Sequence, residues 1–446
     1  MIHLKKTGLI VTLSSVLLLS ACSGNSGGES KGETKDGKKT VVVSVMMKDR
    51  FLESAVQKFE EKHSDIHIEL KEYKAAPKAV EGGMGVEAIS LGDVEKYVQS
   101  VTTQVISGKG ADLMLMNELP QDKFVGKKLL VNLYDLMAKD SSFDRNTLYP
   151  NILKASQDGD GLYVMPISFT LDLVRGNTEL LKKANISVDK NKPWNWNEYK
   201  DVGKKMKQQG YQGFDNLNST ELLFDYIEDN YGQLVDKGKP NFDSDLFRNM
   251  MKEIKSMYDD GLANEGLSGL SSEFNKMAFQ MAGIYGTEEI LTLPEYLEYY
   301  QKPSASGKKN GVPFKFIYSL ALNSKSNVQP EAWAFIKFLL SDEMQTSPNL
   351  TGLPMNKGAA DQNFNEVLQK IKSGTLEKYM LSDEAKAKKR IEEVKKLISE
   401  ADVRKSSDMK VLMIASEEFK SYMSGQKSAE EVSKLIQNRV KTYLNE

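Results

Sequence analysis

The side chains best able to do chemistry are few and poorly placed for it. The chain has 446 residues with three histidines and one cysteine. His63 and His67 stand four apart, but across a helix-to-strand turn and not on one helical face; His3 is near the start. Zinc needs three or four converging N, S or O ligands. With no cysteine nearby and no acidic third ligand at a suitable spacing, His67 reads as a residue on the polar face of a strand. There is no strand-to-helix nucleophile elbow and no phosphate-binding loop of the G-x-x-x-x-G-K-[ST] type. EGGMG at 81–85 does not lead from a strand into a helix and reads as a loop. Adjacent acids such as Glu288 and Glu289 are commonplace among 62 Asp and Glu. A glycosidase needs two carboxyls facing each other at about 5–9 Å, and nothing in the sequence points to such a pair. The expectation is a non-enzyme with no metal and no cofactor.

Cys22 has a different use. It closes LLLSAC, after the basic Lys5 and Lys6 and an apolar run from Gly8 to Leu19. That run suits a signal peptide and is too short to span a bilayer. Leu19-Ser20-Ala21-Cys22 resembles the bacterial lipobox. The resemblance implies that residues 1–21 are removed, that Cys22 becomes the N-terminus, and that its sulfur carries a lipid anchor in the cell membrane. No second cysteine exists for a disulfide. Residues 22–39 are Gly, Ser and charge with no large apolar side chain, the composition of a flexible tether. A net charge of −2 from 60 basic and 62 acidic residues gives no electrostatic case for nucleic acid.

The elements must supply the rest. At this length two lobes are expected. TVVVSVMM reads as a buried strand, and DRFLESAVQKFEEKH as a helix with Phe51, Leu52, Ala55, Val56 and Phe59 on one face. DIHIEL then alternates as a strand, completing a βαβ unit with a parallel pair. Val94 to Val105 are spaced for a helix that ends at GKG, and ADLMLM is the next strand. From about 170 to 300 the chain reads mostly helical. Asn177 is a helix N-cap, and Asn195 with Glu198 forms a capping box. Pro330 falls near the first position of another helix. The tail from about 362 is helical and rich in Lys and Glu.

Several stretches in order resemble the carbohydrate-binding extracellular solute-binding proteins of ATP-binding-cassette importers. They include SGKGADLMLMN, GLYVMPISFTLDLVRGNTELLKKANI, PWNWNEYKDVGKKM, MAFQMAGIYGTEE, LALNSKSNVQPEAWAFIKFLLSDEMQ and TGLPMNKGA, and the resemblance runs from Thr40 to Glu446. It implies an α/β, two-lobed periplasmic-binding-protein-like fold (type II), each lobe a sheet flanked by helices. Three hinge crossings are placed near Pro166, Phe314 and Gly352. Lobe 1 is placed at 40–165 and 317–350, and a helix-rich lobe 2 at 166–316 and 351–446. It also implies an extracytoplasmic monomer that holds a carbohydrate between the lobes and passes it to the membrane permease subunits of the transporter.

Ligands in such sheets meet the loops beyond the carboxyl ends of strands. That rule places Met47, Lys48 and Asp49 at the mouth, then Asn117 and Glu118, with Ser168, Phe169 and Thr170 at a crossing. Tyr285 stands where the family often stacks an aromatic on a sugar ring. Of three tryptophans, Trp333 and Trp196 read as core and Trp194 as the one free to face a ligand. So few leave open a polyamine, a peptide or a metal chelate as the solute, and a surface glycosidase as a rival activity.

Overall fold

A computed structural model describes residues 37–75, 90–190, 192–214, 218–265, 277–304, 311–375, 383–405 and 407–445. Cys22, the leader, the tether up to residue 36 and the EGGMG stretch lie outside the described residues.

The strands are β1 (Lys39–Val45), β2 (Ile66–Glu72), β3 (Leu113–Leu115), β4 (Met165–Asn177), β5 (Gln212–Phe214), β6 (Val235–Asp236), β7 (Lys239–Pro240), β8 (Met277–Gly283), β9 (Leu297–Gln301), β10 (Val312–Leu322), β11 (Leu353–Pro354) and β12 (Ala401–Arg404). Asp49 ends the first βα turn by accepting from Leu52 N at 2.9 Å, which caps helix Arg50–Lys62. That helix returns the chain to β2, which lies parallel to β1 in register Lys39↔Ile66. β3 joins β1 on its other side, also parallel. β10 then runs antiparallel to β3 and to β4.

β4 is the backbone of the whole sheet. From Met165 to Leu171 it pairs with β10, and from Asp172 to Asn177 with β8 on one edge and β9 on the other. The change of partners falls between Leu171 and Asp172. β5 extends the second half, parallel to β8.

Side chains alternate across a strand, so β1 turns Val41, Val43 and Val45 to one face. They join a core with Phe51, Phe59, Phe169, Phe335 and Phe364. Met46, Met114 and Ala321 turn the other way, onto Tyr97, Val98 and Val105 of helix Leu91–Ile106. A separate core packs Trp196, Tyr199, Phe214, Tyr226, Phe279 and Val411 around the second half of the sheet. The body is thus a two-lobed α/β fold with helices on the sheet faces. Helices Lys357–Lys372 and Glu384–Ser399 put Phe364, Val367, Ile391 and Val394 into the first core.

Two expectations need correction. The stretch from 170 to 300 is not mostly helical: β4 continues to Asn177, and β5 to β9 also fall there. MAFQMAG hides its strand because β8 lies between β4 and β5, where a strand shows no polar alternation. Trp194 is also not free. It is buried, and its Nε1 donates to Gln301 O at 2.6 Å. Trp196 and Trp333 are buried as expected.

Candidate functional site

A cavity of about 150 Å³ opens beyond the carboxyl end of β3. One wall is the loop that follows, Met116 to Asp122; the floor is Lys315, Phe316 and Ser319 of β10. The far wall is Glu228, at the end of helix Ser219–Asp229, with Arg404 at the end of β12 and Lys405, Ser407, Asp408 and Met409 beyond it. The near wall carries Met116 and Leu119 of one core, whereas Met409 packs on another. The walls of the cavity therefore come from elements that pack on different hydrophobic cores.

Behind the far wall is a buried cluster of ions. Lys302 and Lys405 each have a side chain only 2% exposed. Lys405 Nζ lies 2.6 Å from Asp172 and 2.5 Å from Asp229; Lys302 Nζ lies 3.1 Å from Asp172 and 2.7 Å from Asp225. Lys315, which reaches the cavity, pairs with Glu228 at 2.7 Å and Asp225 at 3.5 Å. Burial pushes the Asp172 carboxyl up, but the attraction of Lys302, Lys405 and Lys315 outweighs it and holds the group well below the usual carboxylate range. Burial likewise disfavours the Lys405 ammonium, and Asp172, Asp229 and Asp225 overcome it. Asp172 is also the first residue of β4 after its change of partners, so the cluster ties β4, β9, β10 and β12 at one point.

The residues expected at the mouth are spread over several settings. Asn117 is exposed at the cavity rim, its Nδ2 donating to Ile317 O at 2.5 Å. Glu118 is mostly buried beside it. Its Oε2 has no hydrogen-bond partner among the described residues, and burial pushes its carboxyl up. Lys48 is half-buried and pairs with Glu72 at 3.6 Å. Asp49 accepts from the Tyr318 hydroxyl at 2.5 Å, besides capping its helix.

Ser168 and Phe169 do not line the cavity. Both are fully buried. The Ser168 hydroxyl donates to Thr351 O at 2.6 Å, and the Phe169 ring meets Tyr149 and Phe314 edge-on. Thr170 Oγ1 accepts from Ile284 N at 2.9 Å. The burial pattern explains this: that half of β4 is covered on both faces.

Tyr285 is 51% exposed and lines a different opening of about 340 Å³, with Thr351 and Gly352. Its backbone is fixed at both ends. Tyr285 N donates to Glu289, whose carboxylate also pairs with Arg175, and Tyr285 O accepts from Gly352 N at 2.7 Å. Gly352 has φ of +94°, and a Cβ there would sit 3.0 Å from Phe169 O. Only glycine meets both demands.

Among the described residues, two contacts join elements of different cores around a further opening. Glu95, on helix Leu91–Ile106, pairs with Lys410 on helix Met409–Met423. Lys123 Nζ lies 4.9 Å from the centre of the Tyr443 ring. Sequence reasoning missed Lys315, Glu228, Arg404, Lys405 and Asp408. The one available signal was the short ADVR alternation in a tail otherwise read as helix, with polar residues directly after it.

Residues 46–346 match the family model described as bacterial extracellular solute-binding protein. Solved structures share the fold. One is an ABC substrate-binding protein from Listeria monocytogenes in complex with cycloalternan, 17% identical over 91% of this chain and 98% of that one, with a TM-score of 0.57. Another is maltose-bound MalE3 of T. maritima, 16% identical over 91% and 99%, with a TM-score of 0.57. A third is the sugar-binding protein MalE from Xanthomonas citri, 16% identical over 91% and 98%, with a TM-score of 0.62.

Proposed function

This chain belongs to the bacterial extracellular solute-binding protein family, and from that we propose that it captures a carbohydrate between its two lobes and delivers it, unchanged, to the permease of an ABC importer. The observation that carries the reading is the cavity between elements of different cores, lined by polar and charged groups around a few apolar ones. A polyhydroxylated solute needs that mixture: hydroxyls take amide, ammonium and carboxylate partners, and ring C–H faces take apolar walls. The sugar-bound structures of the same fold support the class of solute. No helix among the described residues is long and apolar enough to cross a membrane, so attachment in this reading comes from a lipid on Cys22. The body acts as a monomer outside the cytoplasm, with no catalytic step.

The boundaries we adopt divide 40–165 and 317–350 from 166–316 and 351–446, with one amendment. Helices Lys357–Lys372 and Glu384–Ser399 move with the first lobe, whose core they share. Bending takes place where β4 changes partners, and the Glu95–Lys410 pair favours the shut form. Asn117, Glu118 and Lys48 serve at the cleft rim, and Tyr285 serves at the second opening that it lines. Ser168 and Phe169 support it from within the core.

Saturating sugar, at a hundred times the dissociation constant, stabilises the protein by about 2.7 kcal/mol. A thermal-shift screen of sugars, polyamines and peptides reads this directly, and stabilisation by a polyamine or peptide alone would remove the carbohydrate assignment. Tyr285→Ala weakens sugar binding by about 1–3 kcal/mol, the range for a truncated anchor, while the unliganded melting temperature barely moves. Unchanged affinity would take Tyr285 out of the site. Cys22→Ser abolishes lipid labelling and moves the protein from the membrane fraction to the medium. A wild-type protein that is itself unlabelled and unanchored would contradict that assignment.

A further inference from the structure

The 150 Å³ chamber does not stand alone. A second opening of about 770 Å³ adjoins it, and the two share Gln121, Asp122, Arg404 and Asp408. Binding sites for drug-sized molecules span about 300–1,000 Å³. The first chamber is small by that measure, and we take the four residues the openings share as the waist of one groove.

Arg404 stands at that waist with its donors largely unused. Its guanidinium lies 5.2 Å over the Phe316 ring, and Nη1 makes one long bond of 3.4 Å to Ser156 O. It has no ion pair among the described residues. The lysines of the first chamber differ, since carboxylates already occupy Lys315 and Lys405. Guanidinium offers five N–H groups in a rigid fork matched to two oxygens side by side, and the aromatic face nearby attracts its charge.

The surroundings of Arg404 carry both signs of charge. Asp122 and Asp158 face Arg404 without closing an ion pair. In the first chamber three cations, Lys315, Arg404 and Lys405, stand against three acids, Asp122, Glu228 and Asp408. In the second, Lys123, Lys127, Lys237 and Arg404 stand against Asp122, Asp158 and Asp408, so cations and acids alternate along both openings. Neighbouring sugar hydroxyls accept from the fork and donate to Asp122, adding no charge.

We propose that Arg404, set over the Phe316 ring, is the central anchor of the cleft, and that its ligand is an uncharged oligosaccharide lying across the waist with sugar units in both chambers. This rests on the carbohydrate reading above.

The test is calorimetric titration with neutral gluco-, xylo- and manno-oligosaccharides of one to four units, and with an oligouronate. The wild type binds one neutral series, with affinity rising at least tenfold between one unit and three. Arg404→Gln and Arg404→Lys each lose about tenfold or more, as for a central interface arginine. The lysine variant keeps the charge but not the fork, and it still reports should the glutamine variant fail to fold; unliganded melting of each separates misfolding from lost contact. A wild type that binds a single unit as tightly as three, or that prefers the oligouronate, overturns the proposal. So does an Arg404 variant that binds like the wild type, and in these cases the carbohydrate reading stands. No saccharide binding to the wild type at all overturns both.

Discussion

Lys405→Met lowers the free energy of unfolding by about 3–5 kcal/mol, the cost of stripping one partner from a buried ion pair. Three lysines face four carboxylates at this point, and Lys405 touches Asp172 and Asp229 directly. Its removal leaves both acids buried with Lys302 as the only other fully buried cation among the described residues of the cluster. Urea denaturation checks it: the midpoint falls while the slope is unchanged. A loss below about 1 kcal/mol, the level of an exposed pair, would mean that the cluster is hydrated and does not hold the sheet together.

The pH dependence follows from the directions of the shifts. Asp172 is depressed in the folded state, so its contribution is present above the unfolded carboxylate value and is lost as pH falls through the folded one. Lys405 is raised, so its contribution is present below the unfolded lysine value and is lost as pH rises through the folded one. Asp229 works in the opposite sense, because burial raises it despite Lys405, and its ionisation costs stability above its unfolded value. The Asp172 and Lys405 contributions should therefore hold between about pH 4 and pH 10, the unperturbed values for Asp and Lys, and the acid-side loss should be shallower in Lys405→Met.

Phe169→Ala is expected to cost about 3–5 kcal/mol, as for deletion of a fully buried aromatic ring. The ring is fully enclosed and packs edge-on against Tyr149 and Phe314, in the half of β4 that pairs with β10. The sequence alone suggests Phe169 as a ligand contact. The two roles separate in one experiment. A core residue lowers the denaturant midpoint and leaves the affinity of the remaining folded protein within a few-fold. A contact residue leaves the midpoint in place and weakens binding.

Local features were legible in the residues. The capping pair Asn195 and Glu198 forms with both bonds made, and Asn177 caps its helix. The apolar spacing of Phe51, Leu52, Ala55 and Phe59 does mark a helix face, and the βαβ unit closes in parallel. Each of these depends on residues within a few positions of one another. The ion cluster does not. Asp172, Asp225, Lys302, Lys315 and Lys405 come from five segments, and no periodicity links them. In a chain with 60 basic and 62 acidic side chains, a charge in the sequence says nothing about whether it is buried. Trp194 shows the same limit: its fate depends on Gln301, more than a hundred residues away. Rule-based placement of site residues at strand ends reached Asn117, which lines the cavity, and Glu118 beside it, which does not. It missed the far wall because β12 is four residues long and sits between two helices.

The most direct test of the account is to incubate the purified protein with neutral saccharides, measure binding by calorimetry, and recover and identify the sugar afterwards. The account predicts one-to-one binding to one saccharide series, with negative heat-capacity change from the buried surface, and recovery of the sugar intact. Cleaved sugar, or no saccharide bound while a polyamine, peptide or chelate binds, would contradict it.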